Sequence, residues 1–96
     1  MASAFAPLWQ VSEDTRGRWR DFPGHLSVAV EHEYQLWQDG GKDPNWVTQY
    51  TWMVGKERIP TEYEITFHDM QQRRMPNRED PPLREQPPRK VRRLLQ

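Results

Sequence analysis

The chain of 96 residues is long enough for one small domain, and its five tryptophans help to build a compact core from 34% hydrophobic residues. The absence of cysteine excludes disulfide bonds and thiolate metal sites, and it favours a reducing compartment, the cytoplasm or the nucleus. The net charge of zero argues against a protein that coats nucleic acid.

Two short strands are predicted at the start of the chain. Residues 6–13 alternate between apolar and polar side chains, as a strand does. A polar turn then ends at Gly17, and Trp19 and Phe22 mark a second strand that we expect to form a hairpin with the first.

A helix is predicted next. Ser27 precedes a helical pattern over residues 28–38 and is expected to be the N-cap. The apolar face has the spacing i, i+4, i+7 and consists of Val30, Tyr34 and Trp37. Gly40 and Gly41 are expected to end the helix.

A second hairpin is predicted in the centre of the chain. Residues 46–54 are rich in aromatic and β-branched side chains and alternate clearly, and residues 55–58 read as a turn. The returning strand runs through Tyr63 and Ile65, and the loss of alternation predicts that the polar run 69–72 begins past its end.

The last part of the chain contains a proline-rich loop and one more strand. Residues 76–88 hold five prolines, which exclude a central strand, and residues 89–95 alternate again. We therefore predict an α+β fold, in which a strongly curved, mostly antiparallel half-barrel sheet packs around one helix. Residues 1–96 form a single domain with its core between residues 8 and 95.

Two residues near the end of the returning strand are candidates for ligand binding. Tyr63 shares the parity of Ile65, so its ring faces the core and its hydroxyl either reaches the rim or bonds to backbone. Gln72 offers both a donor and an acceptor to a base edge or a ribose hydroxyl, unless it is a solvent-exposed loop residue.

Arg89 shares the parity of Val91 and is therefore expected to point inward near the open end of the sheet. A half-buried guanidinium needs an anion. That anion is either a ligand phosphate, bound by two parallel hydrogen bonds, or a carboxylate of Glu31 or Glu33 on the helix.

The basic residues are concentrated near the end of the chain. Residues 71–96 carry 8 Lys and Arg against 3 Asp and Glu, whereas residues 1–70 carry 6 against 11, which predicts an anionic partner or a solvated tail. No aromatic residues are interleaved with these basic residues. We therefore interpret five of the basic residues as a solvated face rather than a nucleic-acid site: Arg73, Arg74, Lys90, Arg92 and Arg93. We expect no sequence-specific nucleic-acid partner.

No catalytic residue, metal site, cofactor or membrane segment is predicted. The three histidines show no metal-ligand spacing among themselves: His25, His32 and His68. The chain lacks a G-x-S-x-G motif and a glycine-rich phosphate loop. No apolar run approaches the roughly 20 residues needed to cross a bilayer, and the N-terminal segment is not typical of a signal peptide.

Several motifs in sequence order resemble those of the WWE domain, a module found in ubiquitin ligases and ADP-ribosyltransferases. The signature of two tryptophans and a glutamate matches Trp9, Trp19 and Glu31, the last within "VEHEY". The segments "GRWRDF", "YEITFHDMQQ" and "RKVRRLL" are similar to further family motifs, so that the resemblance extends from Leu8 to Leu95.

The resemblance implies a non-catalytic module that binds ADP-ribose or iso-ADP-ribose units of poly(ADP-ribose) on modified proteins, at the open end of the half-barrel. It places the ligand contacts at Tyr63, Gln72 and Arg89. Val11 and Arg20 stand where tight binders carry aromatic residues and complete the predicted site. Trp9, Trp19 and Glu31 are then structural residues that pack the helix against the sheet. The alternative, which Val11, Arg20 and the proline-rich loop favour, is a protein-interaction module of the same fold without nucleotide binding.

Overall fold

The computed structural model describes residues 7–13, 16–75 and 87–95. In chain order, the described residues form β1 (Leu8–Ser12), β2 (Trp19–Asp21), α1 (Gly24–Asp39), β3 (Val47–Val54), β4 (Ile59–Thr66), β5 (Gln71–Arg74) and β6 (Arg89–Leu94). Most of the predicted proline-rich loop, residues 76–86, lies outside the described residues. No helix in the described part of the chain combines the length and the apolar character needed to cross a membrane.

The strands form one curled antiparallel sheet in the order β2-β1-β6-β5-β4-β3. The last strand of the chain therefore lies between β1 and β5, where it joins the two hairpins into a half-barrel. The junction between β5 and β6 is short, with Gln71 opposite Lys90 and Gln72 opposite Arg89. One helix packs on the concave face, which confirms the predicted α+β architecture.

β5 was not predicted, and the interpretation of Gln72 as a residue past the end of a strand is wrong. β4 ends at Thr66, and a four-residue turn returns the chain so that Thr66 pairs with Gln71. The turn contains neither glycine nor proline, and Met70 adopts a left-handed φ of 52° within it. Such a conformation is uncommon for a residue other than glycine, asparagine or aspartate, so the sequence carries no strong turn signal there.

The core is a single cluster on the concave face, built from the inward positions of the strands and the apolar stripe of α1. Trp9 and Ile65 are completely buried, and Phe67 is 2% exposed. The Phe67 ring lies 5.8 Å from the Trp9 ring and 5.7 Å from the Trp37 ring of α1. Packing of aromatic rings from β1, α1 and the β4–β5 turn therefore fixes the helix inside the curved sheet.

α1 begins one turn earlier than predicted, and Ser27 is not its N-cap. Gly24 is the first helical residue, preceded by Pro23, and no side chain caps this end. The Ser27 hydroxyl instead accepts a hydrogen bond from the Trp9 backbone N–H at 3.0 Å and donates one to the Pro7 carbonyl at 3.2 Å. Ser27 thus connects the helix to β1.

Glu31 connects α1 to two strands. Its Oε1 accepts hydrogen bonds from the Trp9 indole N–H at 3.0 Å and from Arg93 Nε at 2.7 Å, and its Oε2 accepts from Arg93 Nη2 at 2.7 Å. The Glu31 carboxylate therefore pairs with Arg93. It does not pair with Arg89, which was one of the two predicted alternatives for Arg89. Trp9 and Glu31 thus both contribute to the contact between the helix and the sheet.

Candidate functional site

A pocket of about 520 Å³ lies at the end of the concave face that α1 does not fill. The other end is occupied by the core around Trp9 and Phe67. The pocket lining combines aromatic, amide and guanidinium side chains from β1 to β6 and the loops beside them: Val11, Glu13, Arg18, Arg20, Trp52, Tyr63, Gln72, Arg74, Pro87 and Arg89.

The register of the sheet brings all five predicted site residues to this pocket: Val11, Arg20, Tyr63, Gln72 and Arg89. Val11 lies opposite Arg20 in the β1–β2 pair, and Gln72 lies opposite Arg89 in the β5–β6 pair. Directly opposed side chains point to the same face of a sheet, with Cβ atoms roughly 5 Å apart. Val11 is also a core residue, because only 4% of it is exposed.

One wall of the pocket is aromatic. Trp52 and Tyr63 line it, and both are partly buried. The Trp52 ring packs on Phe22 with a centroid distance of 4.9 Å, and the Tyr63 ring stacks on Tyr50 at 5.8 Å. Both rings are therefore supported from behind, and they present apolar surface on which a planar group can stack.

Gln72 is buried at the floor of the pocket and is only 5% exposed, which excludes the solvent-exposed alternative. The Tyr50 hydroxyl donates a hydrogen bond to Gln72 Oε1. Burial raises the pKa of the Tyr50 phenol far above its usual value, and the neighbouring Tyr63 raises it further. Tyr50 therefore stays protonated at physiological pH and remains a donor to Gln72.

The charged side chains give the pocket an excess of positive charge. Four arginines and one glutamate line it, which is a formal balance of +3. Glu13 Oε1 lies 3.2 Å from Arg20 Nε, in an ion pair that is largely exposed. Arg74 has no ion-pair partner within the described residues. A concave site with surplus guanidinium groups favours anionic ligands, and phosphate oxygens above all.

Arg89 lies at the rim and is exposed, rather than half-buried as its parity suggested. Its Nη1 donates to the Glu13 carbonyl at 3.1 Å and is 3.5 Å from the Ser12 carbonyl. These contacts hold the side chain beside the pocket across the β1–β6 pair. The remaining N–H groups of the guanidinium are available to an anion.

Trp19, the third signature residue, does not pack the helix against the sheet. It lies opposite Ser12 on the outer face of the sheet, and its ring stacks under the Arg92 guanidinium at 4.1 Å. Arg92 also donates from Nε to Gln10 Oε1 at 2.8 Å. Trp19 therefore covers the outer surface of the β2-β1-β6 region.

No family model, curated protein or solved structure matches this chain. The chemistry of the pocket therefore carries the indication of its ligand. That chemistry comprises guanidinium groups, one buried amide and two supported aromatic rings. Together they suit the binding of a ligand that carries a planar group and at least one phosphate.

The sequence patterns did not identify five of the lining residues: Glu13, Arg18, Trp52, Arg74 and Pro87. Trp52 shares the parity of Tyr50 in β3, so the alternation was sufficient to place it on the inner face. Arg74 was grouped with Arg73 as part of a solvated face. Its inward position follows only once residues 71–74 are recognised as a strand, because Arg74 then has the parity of Gln72.

Proposed function

We propose that this protein is a non-catalytic binding module that recognises ADP-ribose or iso-ADP-ribose units of poly(ADP-ribose) on modified proteins. In this proposal the ligand occupies the pocket at the open end of the half-barrel. The adenine stacks on the aromatic wall, Gln72 bonds to the nucleotide, and the guanidinium of Arg89 contacts the diphosphate.

The convergence of five residues is the observation that carries this proposal. Val11, Arg20, Tyr63, Gln72 and Arg89 come from five different strands and line one pocket. Tyr63, Gln72 and Arg89 stand where the motifs resemble the ligand-contacting positions of WWE domains, and Val11 and Arg20 replace aromatic residues at two further positions. The motif positions and the pocket thus coincide, and this coincidence supports a ligand of the class that WWE domains bind.

The dimensions and chemistry of the pocket also support a nucleotide ligand. Small-molecule sites commonly enclose about 300–1,000 Å³ and combine apolar walls with a few polar groups. The pocket of about 520 Å³ lies within this range. Trp52 and Tyr63 supply stacking surface, and the arginines supply bidentate donors for phosphate oxygens.

Titration calorimetry with ADP-ribose and with iso-ADP-ribose tests the proposal directly. We expect a binding free energy on the order of −7 to −9 kcal/mol for at least one of them, as for a small pocket with few polar anchors. No heat, together with unchanged NMR signals at Tyr63 in millimolar ligand, would reject nucleotide binding and favour a protein-interaction module of the same fold.

Arg89→Ala is expected to weaken ADP-ribose binding by about 1.5–3 kcal/mol, because it removes charge-assisted hydrogen bonds to phosphate. Lys90→Ala is the matched control. Lys90 is the next residue of β6, carries the same charge and lies on the opposite face, away from the pocket. Equal losses in both variants would indicate a general charge effect and remove Arg89 from the site.

A further inference from the structure

The hydrogen bond between Tyr50 and Gln72 has a consequence for which ligands the pocket accepts. A glutamine amide can present either its carbonyl oxygen or its NH₂ group to a ligand. Here Oε1 accepts the proton of the Tyr50 hydroxyl, which comes from behind the pocket lining. The acceptor end of the amide is therefore already engaged by the protein.

The donor end of the amide has no such partner. Gln72 Nε2 makes no hydrogen bond to any other described residue, although only 5% of Gln72 is exposed. None of the fully buried side-chain nitrogen or oxygen atoms in the described part of the chain lacks a partner. Nε2 is therefore the part of the side chain that reaches the pocket.

The neighbours of Gln72 on the inner face are also donors. Arg89 lies directly opposite it on β6, and Arg74 is two residues further along β5. Guanidinium groups donate only. The one carboxylate of the lining, Glu13, is paired with Arg20 on the far side of β1. The polar floor around Gln72 therefore offers donors to a ligand.

We infer that Tyr50 is a positioning residue that holds the Gln72 amide with its carbonyl turned away from the ligand and its NH₂ group turned toward it, so that the pocket selects ligands that place a hydrogen-bond acceptor against Gln72. The acceptor is a phosphate oxygen, a carbonyl oxygen or a ring nitrogen of the ligand. The inference deepens the proposed function, on which it rests for the identity of the natural ligand.

Two further contacts make the orientation of Tyr50 well defined. Its ring stacks on Tyr63 with an interplanar angle of 22°, and it packs on Phe22 at a centroid distance of 5.6 Å. Both contacts are between aromatic rings and do not involve the hydroxyl. Tyr50→Phe therefore removes the hydrogen bond to Gln72 and retains the packing.

The experiment uses the full chain labelled with ¹⁵N and ¹³C, inorganic diphosphate and ADP-ribose as probes, and NMR detection of the Gln72 side-chain amide. In the unmodified protein we expect diphosphate to shift the Nε2 proton signals of Gln72. In Tyr50→Phe the Gln72 Cδ signal should move even without a probe. The affinity should fall at least about twofold, since only a fraction of the molecules then present the NH₂ group.

A double-mutant cycle distinguishes positioning from a merely structural role. If Tyr50 acts through Gln72, Tyr50→Phe will not weaken binding further when Gln72 is replaced by leucine. Tyr34→Phe is the matched control, because the Tyr34 hydroxyl also bonds to a glutamine, Gln38 of α1, but lies away from the pocket lining. This control should leave the Gln72 signals and the affinity unchanged.

The outcomes separate this inference from the proposed function. If diphosphate shifts the Gln72 amide and ADP-ribose does not bind, the inference stands and the proposed function fails. The inference is overturned if ADP-ribose binds without shifting the Gln72 amide signals. It is also overturned if Tyr50→Phe weakens binding as much in the Gln72→Leu background as in the unmodified protein. If neither probe binds, both are overturned.

Discussion

The two adjacent arginines of β5, Arg73 and Arg74, lie on opposite faces of the sheet. Arg73 lies opposite Glu64 on the outer face of the sheet, whereas Arg74 lies opposite Tyr63 and lines the pocket. The alternation of side chains along a strand is the whole cause of this difference. The pair therefore provides an internal test of which face binds ligand.

Arg74→Ala is expected to weaken ADP-ribose binding by about 1.5 kcal/mol, which is roughly tenfold, because the pocket loses a donor to phosphate. Arg73→Ala should change the affinity by less than about 0.5 kcal/mol, as is usual for surface substitutions away from a site. Calorimetry on both variants measures the difference. A larger loss in Arg73→Ala would place the binding surface on the outer face.

At the scale of a residue, parity was the most informative property of the sequence. It correctly placed Tyr63 and Arg89 on the inner face, because alternation is a local consequence of strand geometry. It was not applied to Arg93, which shares the parity of Val91 and pairs with Glu31, so the interpretation of Arg93 as part of a solvated face is wrong. The distance along the strand decides whether Arg89 or Arg93 meets Glu31, and only the register reveals it.

At the scale of an element, one carboxylate of α1 adds polar contacts with two strands to the aromatic packing that fixes the helix inside the sheet. Burial raises the pKa of the Glu31 carboxyl, but hydrogen bonds from Arg93, Gln35 and Trp9 outweigh burial and hold it below its ordinary value of 4.5. A carboxyl with a lowered pKa stabilises the folded state above its unfolded pKa. That stabilisation is lost as the pH falls through the folded pKa.

Glu31→Gln is expected to lower the free energy of unfolding at pH 7 by about 1.5–3 kcal/mol, because the hydrogen bonds to a charged group are lost. The difference in free energy of unfolding between the unmodified protein and this variant should shrink as the pH falls below 4.5. Urea denaturation followed by tryptophan fluorescence at pH 7 and at pH 3 measures both.

Glu33→Gln is the control for this prediction. Glu33 lies two residues away on the same helix, and its carboxylate forms no hydrogen bond or ion pair with another side chain of the described residues. Its replacement should have little effect at either pH. If Glu31→Gln lowered the free energy of unfolding by the same amount at pH 7 and at pH 3, this result would contradict the assigned role of the carboxylate charge.

At the scale of the whole molecule, the half-barrel depends on a strand from the end of the chain. β6 joins the β1–β2 hairpin to β5, and its pairing with β5 covers only two residue pairs. So short a ladder contributes little by itself, and the aromatic core must hold the two parts of the sheet together. Phe67 is central to this core, since its ring meets those of Trp9, Tyr34 and Trp37.

Phe67→Ala is expected to lower the free energy of unfolding by about 3–5 kcal/mol, through lost burial and the cavity that remains. His68→Ala, at the exposed neighbouring position, should change it by less than about 0.5 kcal/mol. Urea transitions followed by circular dichroism and by fluorescence should coincide, because one core serves both parts of the sheet. Separate transitions would show that the two hairpins fold independently.

The strands with strong alternation and clear turns were predictable, and β5 was not. The β3–β4 hairpin has both signals, because its strands are aromatic and β-branched and its turn contains Gly55 at a φ of 77°. β5 has four polar residues and follows a turn without glycine. Its inward side chains, Gln72 and Arg74, line a pocket instead of a core, so the hydrophobic pattern that identifies strands is absent there.

Apart from β5, the chain's own pattern was thus sufficient for the types of element and for the α+β class, because helix and strand periodicity are local properties. Long-range pairing decided the rest. The insertion of β6 between β1 and β5 sets which arginine meets Glu31 and brings Arg89 beside Gln72. The contact of Tyr50 with Gln72 likewise joins β3 to β5 across β4. Such contacts depend on strand register, which is fixed by residues far apart in the chain and leaves no mark on any short segment.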